Sequence, residues 1–186
     1  MEVRLVVQST PNPNALKFIL NRTVKTEGKV TYKNAGQYEH NPLAQALFTI
    51  PNISEVFFFD NYITITQDGN GDWDAIEEQA RKTIMDNIEN HDPGFRVPED
   101  EKAKAEDTGP KSPEMEKIDM ILNQTVRPAL QADGGDLQLI GLEGNVLKIN
   151  YQGACGSCPS SAMGTLKAIE SILRDEFNPE IVVEMA

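Results

Sequence analysis

Apolar positions along the chain form two groups of elements separated by a polar stretch. In the first group, Val3-Arg4-Leu5-Val6-Val7 and Leu16-Lys17-Phe18-Ile19-Leu20 read as strands around the turn cluster Thr10-Pro11-Asn12-Pro13-Asn14. Asn41-Pro42 reads as a helix N-cap followed by proline at the first helical position, with Leu43, Ala46 and Leu47 on one face. Val56-Phe57-Phe58-Phe59 and Tyr62-Ile63-Thr64-Ile65-Thr66 predict a hairpin about Asp60-Asn61. Asp72 then caps a helix that repeats Trp73, Ile76, Ala80, Ile84 and Ile88 at near-helical spacing. Trp73 is expected in the core. Three consecutive phenylalanines, Phe57 to Phe59, cannot all face inward from one strand, so they predict either exposed contacts or a sheet covered on both faces.

The second group opens with another cap and proline, Ser112-Pro113. Ile118, Ile121, Leu122, Val126 and Ala129 predict the inward face of one helix. Leu137–Ile140 and Val146–Tyr151 predict a hairpin about Glu143-Gly144-Asn145. A helix from about Pro159 to Phe177 is to bury Ala162, Leu166, Ile169 and Leu173, and Ile181-Val182-Val183 closes the chain as a strand. The order is α-β-β-α-β. Between the groups, the stretch HDPGFRVPEDEKAKAEDTGPKSP carries four prolines and alternating charge, with almost nothing to bury. The expected fold class is therefore α/β in the broad sense (α+β). It has two small domains, each a short mixed sheet packed by helices: residues 1–91, a flexible linker 92–112, and residues 113–186.

Composition narrows the function classes. The 186 residues carry a formal net charge of -12, spread over both halves. Nucleic acid and anionic membrane surfaces select basic faces, so neither is an expected partner. No apolar run reaches the ~20 residues of a membrane span. The N-terminus shows no signal-peptide or transit-peptide pattern. The chain has 2 cysteines, too few and too close together for a disulfide framework. A reducing, cytoplasmic setting is the expectation that follows.

Those two cysteines carry the candidate chemistry. They stand in Gly153-Ala154-Cys155-Gly156-Ser157-Cys158-Pro159, between the last hairpin strand and the last long helix. A helix N-terminus lowers a thiol pKa, and thiolate is the metal-binding form. Flanking Gly, Ala and Ser leave room for a bulky inorganic core, and glycine permits the positive φ that turns backbone N–H groups toward sulfur. Soft metals and iron–sulfur clusters suit such thiolates. Two cysteines are half of a four-thiolate set, so a symmetric dimer would complete it. Spacing alone leaves zinc and iron–sulfur both open. A thioredoxin-like dithiol oxidoreductase is the third option, weakened because only nine residues, Asn178–Ala186, follow the helix. An inert pair of small apolar residues fits a loop this rich in Gly and Ser poorly. His40 and His91 lie in loop-like segments far apart and read as solvated.

Around these residues the second half resembles the C-terminal domain of the NifU/Nfu family of iron–sulfur scaffold proteins. The resemblance runs through Val126-Arg127-Pro128-Ala129-Leu130-Gln131-Ala132-Asp133-Gly134-Gly135-Asp136, then Gly153 to Ser161, then Thr165-Leu166-Lys167 and Ile169-Glu170. The first half is similar to the family's N-terminal domain through Thr10–Phe18, Pro42–Phe48 and Ile63–Thr66. This resemblance implies a carrier and not an enzyme. Cys155 and Cys158 of two chains would hold one 4Fe-4S cluster between them, in a homodimer when loaded. The cluster would pass to apo-proteins, and the N-terminal domain would recognise targets or other assembly proteins. Within the matching stretch, Asp133–Asp136 is expected to serve the helix-to-strand turn, or else to touch a partner. Arg127 is expected as a solvated helix charge, with pairing to a carboxylate or contact with a cluster-bearing partner as the alternative. The Thr10–Asn14 loop is either a rigid connection or a recognition surface.

Overall fold

The computed structural model describes residues 2–33, 38–98, 112–156 and 159–186. They cluster into two compact units, Met1–Asp107 and Thr108–Ala186.

The first unit is a five-stranded sheet with helices on one face. Its strands are β1 (Leu5–Ser9), β2 (Ala15–Leu20), β3 (Lys25–Lys33), β4 (Ile53–Asp60) and β5 (Tyr62–Gln67), in the order β1-β2-β5-β4-β3. All four pairings are antiparallel. The helices are α1 (Pro42–Phe48) and α2 (Trp73–Asn87). Asn41 accepts from Ala44 N–H and Asp72 from Asp74 N–H, so both predicted caps satisfy an otherwise orphaned donor. Phe18, Val30, Val56, Phe58, Ile63 and Ile65 alternate onto the core face and pack against Leu43, Leu47, Ile76, Ala80 and Ile84. Each fully buried aliphatic or aromatic side chain contributes ~1.5–3 kcal/mol, which makes this layer the source of the unit's stability.

Strand β3 is absent from the hydropathy reading. Its sequence, KTEGKVTYK, is mostly polar, and its pairing with β4 is interrupted between Lys25 and Lys29, around Gly28 at φ 69°. Its apolar members Val30 and Tyr32 are nevertheless fully buried. The three phenylalanines divide by strand alternation. Phe58 joins the core, whereas Phe57 and Phe59 stack at 6.4 Å on the opposite face beside Tyr62, whose ring lies under Lys17. Trp73 is half-buried against the core and donates from Nε1 to the Pro13 carbonyl at 2.8 Å. The turn loop is internally bonded as well, with Thr10 Oγ1 donating to the Ala15 carbonyl and Asn12 Oδ1 accepting from Asn14 N–H.

The stretch read as having almost nothing to bury starts with residues the fold uses. Phe95 and Val97 are buried in the core of the first unit. Lys25 Nζ donates to the Phe95 carbonyl at 3.1 Å and lies 4.8 Å from that ring, while Thr26 N–H donates to the Pro93 carbonyl. Residues 99–111 of the expected linker lie outside the described residues.

The second unit holds α3 (Pro113–Thr125), α4 (Arg127–Ala132), β6 (Gly135–Glu143), β7 (Val146–Gly153), α5 (Pro159–Glu176) and β8 (Val182–Met185). β6 and β7 form the expected antiparallel hairpin, and β8 adds parallel to β7 after the α5 crossover, so this is the mixed sheet. One helix was expected through Ala129. Two are found, because Pro128 has no N–H to continue the ladder; Ala129 turns outward and Leu130 goes into the core. Ile118, Leu122, Leu137, Leu147, Ile149, Ile169 and Leu173 close the core. Among the described residues no helix is long and apolar enough to cross a membrane.

Candidate functional site

The site is assembled at the open end of the β6–β7 hairpin. Counting back from the Glu143↔Val146 pair, the register slips by one residue between Leu139 and Gly141. This bulge brings Gly135 opposite Gly153 and Asp136 opposite Gln152. The turn before β6 and the cysteine loop after β7 therefore meet, although some twenty residues separate them in sequence.

Backbone geometry at this meeting point demands glycine. Gly134 has φ 83° and Gly153 has φ 63°, both in the left-handed region. Ala154 N–H donates to the Gly134 carbonyl at 3.2 Å, and Gly156 N–H donates to the Gly153 carbonyl at 3.0 Å. A Cβ built on Gly135 would lie 2.6 Å from Cys155 Sγ, 2.6 Å from the Gln152 carbonyl oxygen and 3.0 Å from Cys155 N. Gly135 thus provides the surface on which the Cys155 thiol rests. The Tyr151 side chain is buried, and that burial, with a smaller contribution from charge on Cys155, pushes its phenol well above the ordinary value.

A buried ion pair holds this turn. Arg127, expected as a solvated helix charge, is 5% exposed. Its Nη1 donates to Asp136 Oδ1 and to the Leu137 carbonyl, each at 2.8 Å, and its Nη2 donates to Asp119 Oδ1 at 2.7 Å. Asp136 is 1% exposed and accepts further from Leu137 N–H and Gln131 Nε2. The guanidinium went inside because its fork matches the carboxylate and carbonyl acceptors of the α4–β6 turn. The expected turn role of Asp133–Asp136 therefore has a second part, in which Asp136 clamps the first residue pair of β6 to two helices.

Of the two expected ligands, the structure places Cys155, half-buried at the end of β7. Cys158 lies outside the described residues. Among the described residues no group of three or more His, Cys, Asp or Glu side chains comes together as a metal site. A thiol in this position, ringed by glycine and alanine, can act as a thiolate ligand to a soft metal centre larger than a single ion.

The two histidines depart from their expected solvated loops. His40 Nε2 lies 2.8 Å from the Tyr32 hydroxyl, and His91 Nε2 lies 2.7 Å from the Val24 carbonyl. Both rings flank Phe95, at centroid distances of 6.3 and 5.5 Å. No periodicity in the sequence links positions 40, 91 and 95; only the packing of the 92–97 segment does.

Each unit matches a known family model. Residues 5–91 match the model described as scaffold protein Nfu/NifU N terminal, and residues 118–184 match the NifU-like domain. The chain belongs to the NifU/Nfu family. It is 33% identical over 171 residues to NifU-like protein 4, mitochondrial, of Arabidopsis thaliana, covering 89% of this chain and 60% of that protein. It is likewise 33% identical over 178 residues to the NFU1 iron-sulfur cluster scaffold homolog, mitochondrial, of Drosophila virilis, covering 94% and 58%. The chain spans about 60% of the length of these relatives. Among solved structures, the solution NMR structure of a NifU-like protein from Saccharomyces cerevisiae aligns with a TM-score of 0.46 at 24% identity, over 52% of this chain and 85% of that one.

These relatives correct one expectation. They are named as mitochondrial proteins, which points away from the cytoplasmic setting inferred from the sequence. The inference failed because the lack of a disulfide framework separates oxidising from reducing compartments and does not choose among the reducing ones.

Proposed function

We propose that this chain is a scaffold and carrier for iron–sulfur clusters. Cys155 and Cys158 of one chain, with the same pair of a second chain, hold one labile 4Fe-4S cluster. The cluster is cargo, passed to apo-proteins by stepwise exchange of these thiolates for those of the target. The observation that carries this reading is the half-buried Cys155 thiol resting on Gly135, in a chain with only 2 cysteines. The named scaffold role of relatives supports it. Half a ligand set per chain makes binding depend on a second subunit and leaves each half free to let go. The N-terminal unit serves as the module that holds targets or assembly proteins. We place the division between the units after Val97, since Phe95 and Val97 belong to the first core.

Anaerobic reconstitution with ferrous iron and sulfide, followed by Mössbauer spectroscopy, tests the cargo. A 4Fe-4S signature that moves to the apo form of a 4Fe-4S protein is the expected result. Zinc bound in place of iron, or a reversible disulfide with turnover on protein substrates, would instead support a zinc-bridged dimer or a dithiol oxidoreductase and sink the carrier reading.

A further inference from the structure

The first unit holds a cavity of about 450 Å³ that the cluster chemistry does not use. That volume lies in the range of small-molecule sites, roughly 300–1,000 Å³. Both histidines of the chain line it, with Asn41, Asp92, Phe95 and Arg96. Phe95 and the two imidazoles make an apolar, aromatic wall. His91 uses Nε2 on the Val24 carbonyl, so Nε2 carries the proton in that bond. Burial, the largest influence on His91, keeps the ring neutral against the opposing pull of Asp92.

Two donors at this cavity are uncommitted. Asn41 is 1% exposed, and its Oδ1 is taken by Ala44 N–H. Its Nδ2 is buried with no hydrogen-bond partner among the described residues. An unmet buried donor costs about 1–3 kcal/mol, and this one belongs to a residue that lines the cavity. Arg96 is exposed and makes no ion pair among the described residues. Its backbone is fixed between Phe95 and Val97, both buried, and the residue lines the cavity. Asp92, the acidic group of the lining, already accepts from Gly94 N–H through Oδ1.

We propose that this cavity is a binding site for a carboxylate attached to a small apolar group. The Arg96 guanidinium would pair with the carboxylate, Asn41 Nδ2 would donate to one of its oxygens, and the apolar part would lie against Phe95 and the histidine rings. Asn41 Nδ2 is sealed from solvent, so the occupant engages it by parting the side chains above it. The same chemistry is offered by a free small acid and by the C-terminus of a peptide. The site is independent of the cysteine loop and stands or falls without it.

The test uses the full chain, without cluster. Two acids are titrated in by NMR: 3-methylbutanoate, and the tripeptide Gly-Gly-Phe with a free C-terminus. The amide of that tripeptide is the control. Shifts are expected for the Asn41 side-chain amide, the His40 and His91 rings and Arg96 Hε. Arg96→Gln, at an exposed position, should weaken binding about ten-fold or more, as expected for loss of a charge-assisted bond. Asn41→Asp keeps the cap's acceptor and replaces the donor by a negative acceptor, and should weaken binding at least as much. Because it also buries a carboxylate and lowers stability, the exposed Arg96→Gln, which leaves thermal unfolding close to wild type, is the deciding variant. Binding of either acid alone or of both upholds the proposal and tells a free-acid site from a chain-terminus site. Equal binding of the amide overturns it, as does the absence of shifts with both acids at tens of millimolar.

Discussion

Gly135 and Cys155 are in contact through an absent atom: a β-carbon on Gly135 would sit 2.6 Å from the Cys155 sulfur. The contact ties a helix-to-strand turn to the candidate ligand loop, and its consequences can be measured.

Gly135→Ala should lower the stability of the second unit by roughly 1–3 kcal/mol, the range for overpacking. The Gln152 carbonyl, also 2.6 Å away, is backbone and cannot swing aside. Gly141→Ala is the matched control, because a Cβ there meets nothing within 4 Å and the residue has no positive φ. Urea unfolding followed through the methyl signals of the second unit compares the two. Equal stability would remove the close-approach argument.

Arg127→Met should destabilise the same unit by about 3–5 kcal/mol, the cost of leaving a buried carboxylate without its cation. Asp136 is 1% exposed and would keep that charge inside. The double variant Arg127→Met, Asp136→Leu should recover a large part of the loss, since it removes both charges. A double-mutant cycle in urea gives the coupling directly, and additive losses would contradict the clamp.

A chain ending at His91 should be less stable than one ending at Pro98 by about 3–6 kcal/mol, from the burial of two large apolar side chains, Phe95 and Val97. The single tryptophan, Trp73, lies in the first unit and reports its unfolding by fluorescence. Equal urea midpoints would return residues 92–97 to the linker.

His91 makes the first unit sensitive to acid. Its folded pKa lies below the usual value of 6.5; burial is the main cause, opposed by the Val24 bond and by Asp92 and reinforced by Lys25. The unfolded ring therefore takes up its proton first as pH falls. Stability is fully present above about pH 6.5, declines below it, and levels off once pH passes the folded pKa. The Trp73 transition in urea should weaken from pH 7 to pH 5, and His91→Gln should reduce that slope. An unchanged slope in the variant would assign the acid sensitivity elsewhere.

Much of this fold was legible in local patterns, and the exceptions share a cause. Asn41-Pro42, Asp72 and Ser112-Pro113 announced their helices because a cap and a proline act within one turn. Strand β3 was not legible, since its polar residues and Gly28 hide the alternation of Val30 and Tyr32. The break at Val126 was overridden by periodicity, although Pro128 carried the information. At the candidate site the cysteine pair and the Gly134-Gly135 turn were each visible, but their contact depends on a one-residue bulge near Ile140. For Arg127 the carboxylate pairing prevailed over the solvated reading, and its local sequence could not choose between them because an arginine on a helix says nothing about a buried partner nine residues away. Long-range pairing is what a local reading lacks.

The central claim is the shared half-site, and sedimentation velocity with iron analysis tests it most directly. On anaerobic reconstitution, the cluster-loaded species should sediment as two chains carrying four irons, and removal of the cluster should return the apo distribution. Cys155→Ser and Cys158→Ser should each abolish the loaded species. A cluster held by one chain alone, or one that survives either substitution, would contradict the account.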